Sequence, residues 1–157
     1  MRLSPSVALL AVSFGLLAAC GSPTRPADVL QVRATTSFGF CVGYCRTTLE
    51  ITPTEAVYTR EGWRGEPPIV RREPLAAAEW SDLTRAVDRD GLGALPDVIG
   101  CPDCADAGAE SVGVVAADWT KTVTFDHGAD VPTIQPLLER VRVIRRRFEQ
   151  VSSPPRP

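Results

Sequence analysis

Leu30-Gln31-Val32-Arg33-Ala34-Thr35 and Arg46-Thr47-Thr48-Leu49-Glu50-Ile51 flank a cysteine-bearing stretch, Phe38-Gly39-Phe40-Cys41-Val42-Gly43-Tyr44-Cys45. In the first flank Leu30, Val32 and Ala34 alternate with polar neighbours; in the second, Thr47, Leu49 and Ile51 do so. A period of two puts one face of each segment against a core and the other against water, as in a half-buried strand. The two strands are predicted to pair as a hairpin, with Cys41 and Cys45 in the loop that joins them.

Working outward from this hairpin, Pro53-Thr54-Glu55 reads as a turn, 56–59 as a short β-prone run and 69–72 as a fourth strand. Two glycines and two prolines make 61–68 a loop. Pro74 opens a helical stretch in which Trp80, Leu83 and Val87 share a face, and Gly91 is placed to close it. Segment 92–108, with Pro96, Gly100 and a second cysteine pair, reads as irregular. Val112, Val114 and Ala116 alternate again, and Val123 and Phe125 mark a return strand after a turn at 118–121. The last element is a helix. Ile134, Leu137, Leu138, Val141, Ile144, Phe148 and Val151 line one stripe of it, with Pro132 and Pro136 near its start, where proline is tolerated. The order predicts an α+β domain: an antiparallel sheet of about five or six strands with two helices packed on one face.

The chain has 157 residues and a net charge of −2, a size and balance that suit one domain and do not match a basic nucleic-acid binder. The beginning reads differently from the rest. Arg2 precedes an apolar run, Val7 onward, too short for the ~20 residues of a membrane-spanning helix. It ends in Leu17-Ala18-Ala19-Cys20-Gly21-Ser22, a small-residue cleavage site. Leu-Ala-Ala-Cys also resembles the bacterial lipobox. That resemblance implies cleavage after Ala19 and acylation of Cys20; several acyl chains together give stable anchoring. Gly21 is not the aspartate of inner-membrane retention, which favours the outer membrane. The expected organisation is a signal peptide over 1–19, a lipidated tether over 20–28, a single domain over 29–151 and a disordered tail over 152–157.

Setting Cys20 aside leaves four cysteines: Cys41, Cys45, Cys101 and Cys104. Export places them in an oxidising compartment, where close pairs read as disulfides before metal ligands. Four cysteines allow three connectivities, and spacing does not choose among them. Two local bridges are the first expectation; cross-links between the two loops are the alternative. Local bridging of Cys41 to Cys45 requires the chain to fold back, which Gly43 permits.

Phe38-Gly39-Phe40-Cys41-Val42-Gly43-Tyr44-Cys45, followed by a hairpin, resembles an uncharacterised family of bacterial secreted and lipoprotein domains. The likeness extends over about 29–148 and includes a Trp-containing helix, a strand of the kind seen in Lys121-Thr122-Val123-Thr124-Phe125, and a final amphipathic helix. It implies the architecture above and brings no activity with it.

Each candidate chemistry has a plainer counterpart. Cys101-Pro102-Asp103-Cys104 matches C-x-x-C, but it lacks the strand-to-helix context in which a redox thiol is activated, so a structural staple is expected. The four cysteines could in principle ligate zinc; in an oxidising compartment disulfides compete. His127, the only histidine, is expected in an exposed turn. Asp103, Asp106 and Glu110 do not match a calcium loop and read as solvated charges. Arg140, Arg142, Arg145, Arg146 and Arg147 make the last helix basic; a solvated face balanced by Glu139 and Glu149 is expected over one that meets anionic lipid or polymer. No catalytic constellation, resident metal, cofactor or nucleic-acid partner is implied. The sequence therefore points to a lipid-anchored envelope protein, non-enzymatic, binding an envelope protein or polymer. The alternatives are a thiol-disulfide or metal-handling role for the four cysteines, and a periplasmic hydrolase inhibitor.

Overall fold

The computed structural model describes residues 29–150. The expected signal segment, Cys20, the tether, Val151 and the tail lie outside them. The described chain forms strands β1 (Val29–Ser37), β2 (Tyr44–Ile51), β3 (Glu55–Gly62) and β4 (Ile69–Pro74). Helices α1 (Ala77–Arg85) and α2 (Arg89–Ala94) and strand β5 (Val98–Ile99) follow, then β6 (Ala109–Ala116), β7 (Thr120–Asp126) and α3 (Gln135–Gln150). The strands make one seven-stranded sheet in the order β4-β3-β2-β1-β6-β7-β5. Neighbours are antiparallel except β5, which runs parallel to β7.

Register explains why the helices lie on one face. Ala34 stands opposite Leu49 and Val112, and Val32 opposite Ile51 and Val114. Leu49 then faces Tyr58, and Val112 faces Val123. Side chains opposite one another project to the same face, so these residues form two apolar rows across the sheet. Leu83, Leu92, Ile134, Leu137, Leu138, Val141, Ile144 and Phe148 close over the rows in a single core cluster. Each such buried side chain contributes roughly 1.5–3 kcal/mol of transfer free energy.

The fold class is as expected, with more elements than the sequence reading supplied. β5 lies in the stretch read as irregular; its two residues show no periodicity. α2 arises where Gly91 was expected to end a helix. The Asp88 carboxylate accepts a hydrogen bond from the Gly91 N–H at 3.0 Å, which starts a new turn of helix rather than closing the old one. α1 has already ended at Arg85. Pro74 does not open a helix; it ends β4, a sheet-edge strand, where a missing N–H is tolerated.

β1 carries one further correction. A bulge between Val29 and Gln31 shifts the pairing with β6, so Val29 takes the core position and Leu30 is left half exposed. Strict alternation had assigned Leu30 inward.

Candidate functional site

The hairpin loop and the second cysteine segment meet at one end of the sheet. β1 ends there and β2 begins there, and the loop between them is closed by a Cys41–Cys45 disulfide with Cα atoms 5.5 Å apart. Gly43 holds φ at +86°, the left-handed value that lets the chain double back within the ring. Phe38 N–H donates to the Cys45 carbonyl at 3.0 Å, completing the hairpin. The second segment is closed by a Cys101–Cys104 disulfide, again with 5.5 Å between Cα atoms.

The two stapled loops are joined. Asp103, at φ 64°, turns its carboxylate towards the first loop, and its Oδ1 accepts the Gly39 N–H at 3.0 Å. The Cys101 N–H donates to Asp126 Oδ1 at 3.2 Å, and the Asp103 and His127 N–H groups both donate to the Gly108 carbonyl at 3.1 Å. Gly108 sits at φ +88° with the Phe38 ring where a Cβ would be, so no larger residue fits there. On its other side Phe38 packs obliquely on His127, ring centroids 4.9 Å apart. His127 lies exposed in the turn after β7, as expected.

Between the loops and the end of β3 lies an open groove of about 570 Å³. Ser37, Phe38, Gly39 and Cys45 form one side; Arg46, Glu61, Gly62, Trp63 and Asp103 complete it. Arg46 and Glu61 approach to 3.7 Å across the strand pair, both about half exposed, so the pair orients side chains more than it stabilises the fold. The Trp63 N–H donates to the Gly43 carbonyl at 3.3 Å, tying Trp63 to the disulfide ring. The same end exposes three large apolar side chains: Phe40 at 85%, Val42 at 101% and Trp63 at 68%. Large apolar groups clustered beside a rigid groove mark a recognition surface more often than scattered ones do.

Thus the structure brings together the two cysteine pairs, Phe38–Tyr44 and Asp103, and adds Trp63, which the sequence reading had placed in a plain loop. Asp103, half-buried, links the loops through its carboxylate. The four sulfurs pair within their own segments, and among the described residues no three His, Cys, Asp or Glu side chains converge as metal ligands. Each ring closes only a few residues, so opening one by Cys41→Ser with Cys45→Ser is expected to cost about 2 kcal/mol of stability. Urea denaturation of the variant checks this; a loss beyond about 4 kcal/mol would mean the ring supports the core rather than the groove.

A second polar cluster lies inside the protein, at the groove end of the core. Glu110, expected to be solvated, is 2% exposed. It follows the inward parity of Val112 and Val114 on β6. Its Oε1 accepts Arg145 Nη1 at 3.1 Å and its Oε2 accepts Arg142 Nη2 at 3.0 Å. Thr36 stands opposite Glu110 on β1, its hydroxyl bonded to that of Thr47, and Thr47 bonds Tyr58. Burial pushes the Tyr58 hydroxyl above its usual pKa and outweighs the Thr47 hydrogen bond. Arg147 pairs with Glu79 of α1 at 3.1 Å. Three of the five arginines of α3 therefore serve the fold, and Arg140 and Arg146 are the exposed remainder. Spacing contained the signal: Arg145 is four residues after Val141 and three before Phe148, on the buried stripe.

No family model matches the chain, and no curated protein matches it.

Proposed function

We propose that the chain is a cell-envelope lipoprotein, anchored in the outer membrane through acylated Cys20, and that its domain is a non-enzymatic binding module. The lipobox-like Leu17-Ala18-Ala19-Cys20 supports the anchor. The observation that carries the binding role is the joined pair of disulfide loops. They brace a groove and leave Phe40, Val42 and Trp63 uncovered beside it. Rigid loops bind with little ordering cost, and tryptophan is among the residue types enriched at the energetic centre of binding sites. In this reading the cysteines brace the site rather than exchange electrons or hold zinc.

The test uses the full chain in its native host. A photo-crosslinking residue at position 40, 42 or 63 is expected to yield one discrete adduct, absent when the residue sits at 30 on the far end of β1. Intact mass should show a triacylated cysteine, and Cys20→Ser should move the protein out of the membrane fraction. A folded, acylated protein that gives no adduct, to protein or to wall polymer, from any of the three positions removes the binding role.

One feature favours a second reading, an inhibitor of a periplasmic hydrolase. Val42 stands at the apex of a constrained ring with its whole side chain in solvent, the shape that fills an enzyme cleft. Val42→Asp would then abolish inhibition of the enzyme recovered in the adduct, while an unchanged inhibition constant would dismiss this version.

A further inference from the structure

We propose that the groove beside Trp63 binds an uncharged glycan strand of the cell wall, at the end of the domain opposite the tether. The inference rests on the binding-module reading and names its ligand class.

Two independent observations support it. The first is the chemistry of the groove. Its walls are neither uniformly apolar nor of one charge: a largely exposed indole stands beside a guanidinium, two carboxylates and a serine hydroxyl. A pyranose has the matching surface. Its axial C–H face packs on an aromatic ring, and its equatorial hydroxyl and amide groups exchange hydrogen bonds with charged side chains at its edge. Arg46 lies within reach of Glu61, so the floor has no strong excess of either charge for an ionic ligand. The groove is open to solvent rather than enclosed, which leaves room for a polymer as well as a small molecule. Phe40 and Val42 do not line it, so the ring flanks the strand and does not block it.

The second observation is where the chain outside the described residues attaches. Val29 pairs with Ala116, at the opposite end of β1 from Ser37 and the groove. The nine residues of β1 separate the two ends by roughly 27 Å. The nine tether residues, 20–28, could add up to ~30 Å if extended. A domain held through Cys20 can therefore place its groove up to roughly 50 Å from the anchoring bilayer. That reach makes polymer beyond the bilayer accessible to the groove, and the vesicle arm below tests a lipid headgroup as occupant.

The experiment uses the mature chain and two probes: purified peptidoglycan sacculi in co-sedimentation, and a soluble N-acetylglucosamine tetramer in amide chemical-shift titration. Sedimentation with sacculi is expected, with tetramer shifts confined to 37–39, 45–46, 61–63 and 103. Trp63→Ala should weaken binding about tenfold or more, and Leu30→Ser, at the far end of β1, should leave it unchanged. Trp63 is mostly exposed, so the variant keeps its fold, which circular dichroism verifies. The proposal falls if neither probe binds the wild type, if Trp63→Ala binds as well as wild type, or if anionic lipid vesicles compete the sacculi away. A protein adduct from the crosslinking experiment without glycan binding would overturn the ligand class and keep the binding module. Neither adduct nor glycan binding would remove both.

Discussion

Glu110→Ala is expected to destabilise the domain by about 3–5 kcal/mol. The carboxylate is buried and is the partner of two guanidinium groups, one of them on an Arg145 only 7% exposed. Removing it leaves the Arg145 charge in the interior without compensation, and uncompensated buried charge is among the most costly single defects a core can acquire. Exposed pairs such as Arg72–Glu55 and Arg85–Asp82 should change stability by no more than about 1 kcal/mol when broken. Chemical denaturation of the variant decides the matter, and a loss below about 1 kcal/mol would show that Arg145 reaches water by an easy rearrangement. A triple replacement, Glu110→Leu with Arg142→Leu and Arg145→Met, should recover most of the stability, because no charge is then stranded.

The same site sets part of the acid response. Burial alone would raise the Glu110 pKa; the Arg142 hydrogen bond and the charges of Arg145 and Arg142 outweigh it and hold the group below its usual value of 4.5. The unfolded chain therefore takes up a proton at this residue before the native one does. Its stabilising contribution is complete above the usual carboxylate range and declines as pH falls through the depressed native value. Glu110→Gln should flatten that decline in an acid titration followed by circular dichroism. An identical acid limb in both proteins would refute the assignment.

Phe148→Ala is expected to cost a similar ~3–5 kcal/mol. Its ring is fully buried and stacks on Tyr58 with centroids 5.3 Å apart, and the Arg71 guanidinium lies 5.9 Å from its centroid. Arg71 Nη1 also donates to the Phe148 carbonyl at 2.8 Å. Phe148 thus fastens the last turn of α3 to β3 and β4, the half of the sheet farthest from β7. Alanine leaves a void that helix, sheet and arginine stem cannot all close around. Phe148→Leu should recover about half of the loss, and thermal melts of the three proteins order them. Equal melting temperatures for alanine and wild type would mean that α3 is held by its first three turns alone.

The sheet's alternation and the long apolar stripe of α3 were legible because each is a repeated local pattern enforced by one buried face. What failed to show in the sequence depends on single residues answering distant ones. A bulge at Val29–Gln31 reverses one residue's side and leaves no mark on composition. Asp88 starts a helix three residues before the glycine that local reasoning used as a stop. Glu110 looks solvated beside Asp106, and only the arginines of α3, more than thirty residues on, make its burial tolerable. Trp63 sits among glycines and prolines, and its placement beside the groove follows from the Gly43 carbonyl that accepts its N–H. The cysteines were plain in number and spacing, whereas their coupling runs through Asp103, whose partner Gly39 is on another loop.

The central strand carries a kinetic consequence. β1 pairs with β2 close by in sequence, but also with β6, so that Val32 cannot reach Val114 until roughly 80 residues between them have been released. Folding that must wait for so distant a partner is slow, and one hydrogen-bonding edge and the apolar face of β1 stay unsatisfied meanwhile. If the chain is exported as proposed, such delay is useful: the first strand to emerge cannot complete its sheet while the rest is still in transit. Moving β1 to the C-terminus by circular permutation would bring it nearer β6 but carry it roughly 100 residues from β2, so its sheet would still wait on a distant partner.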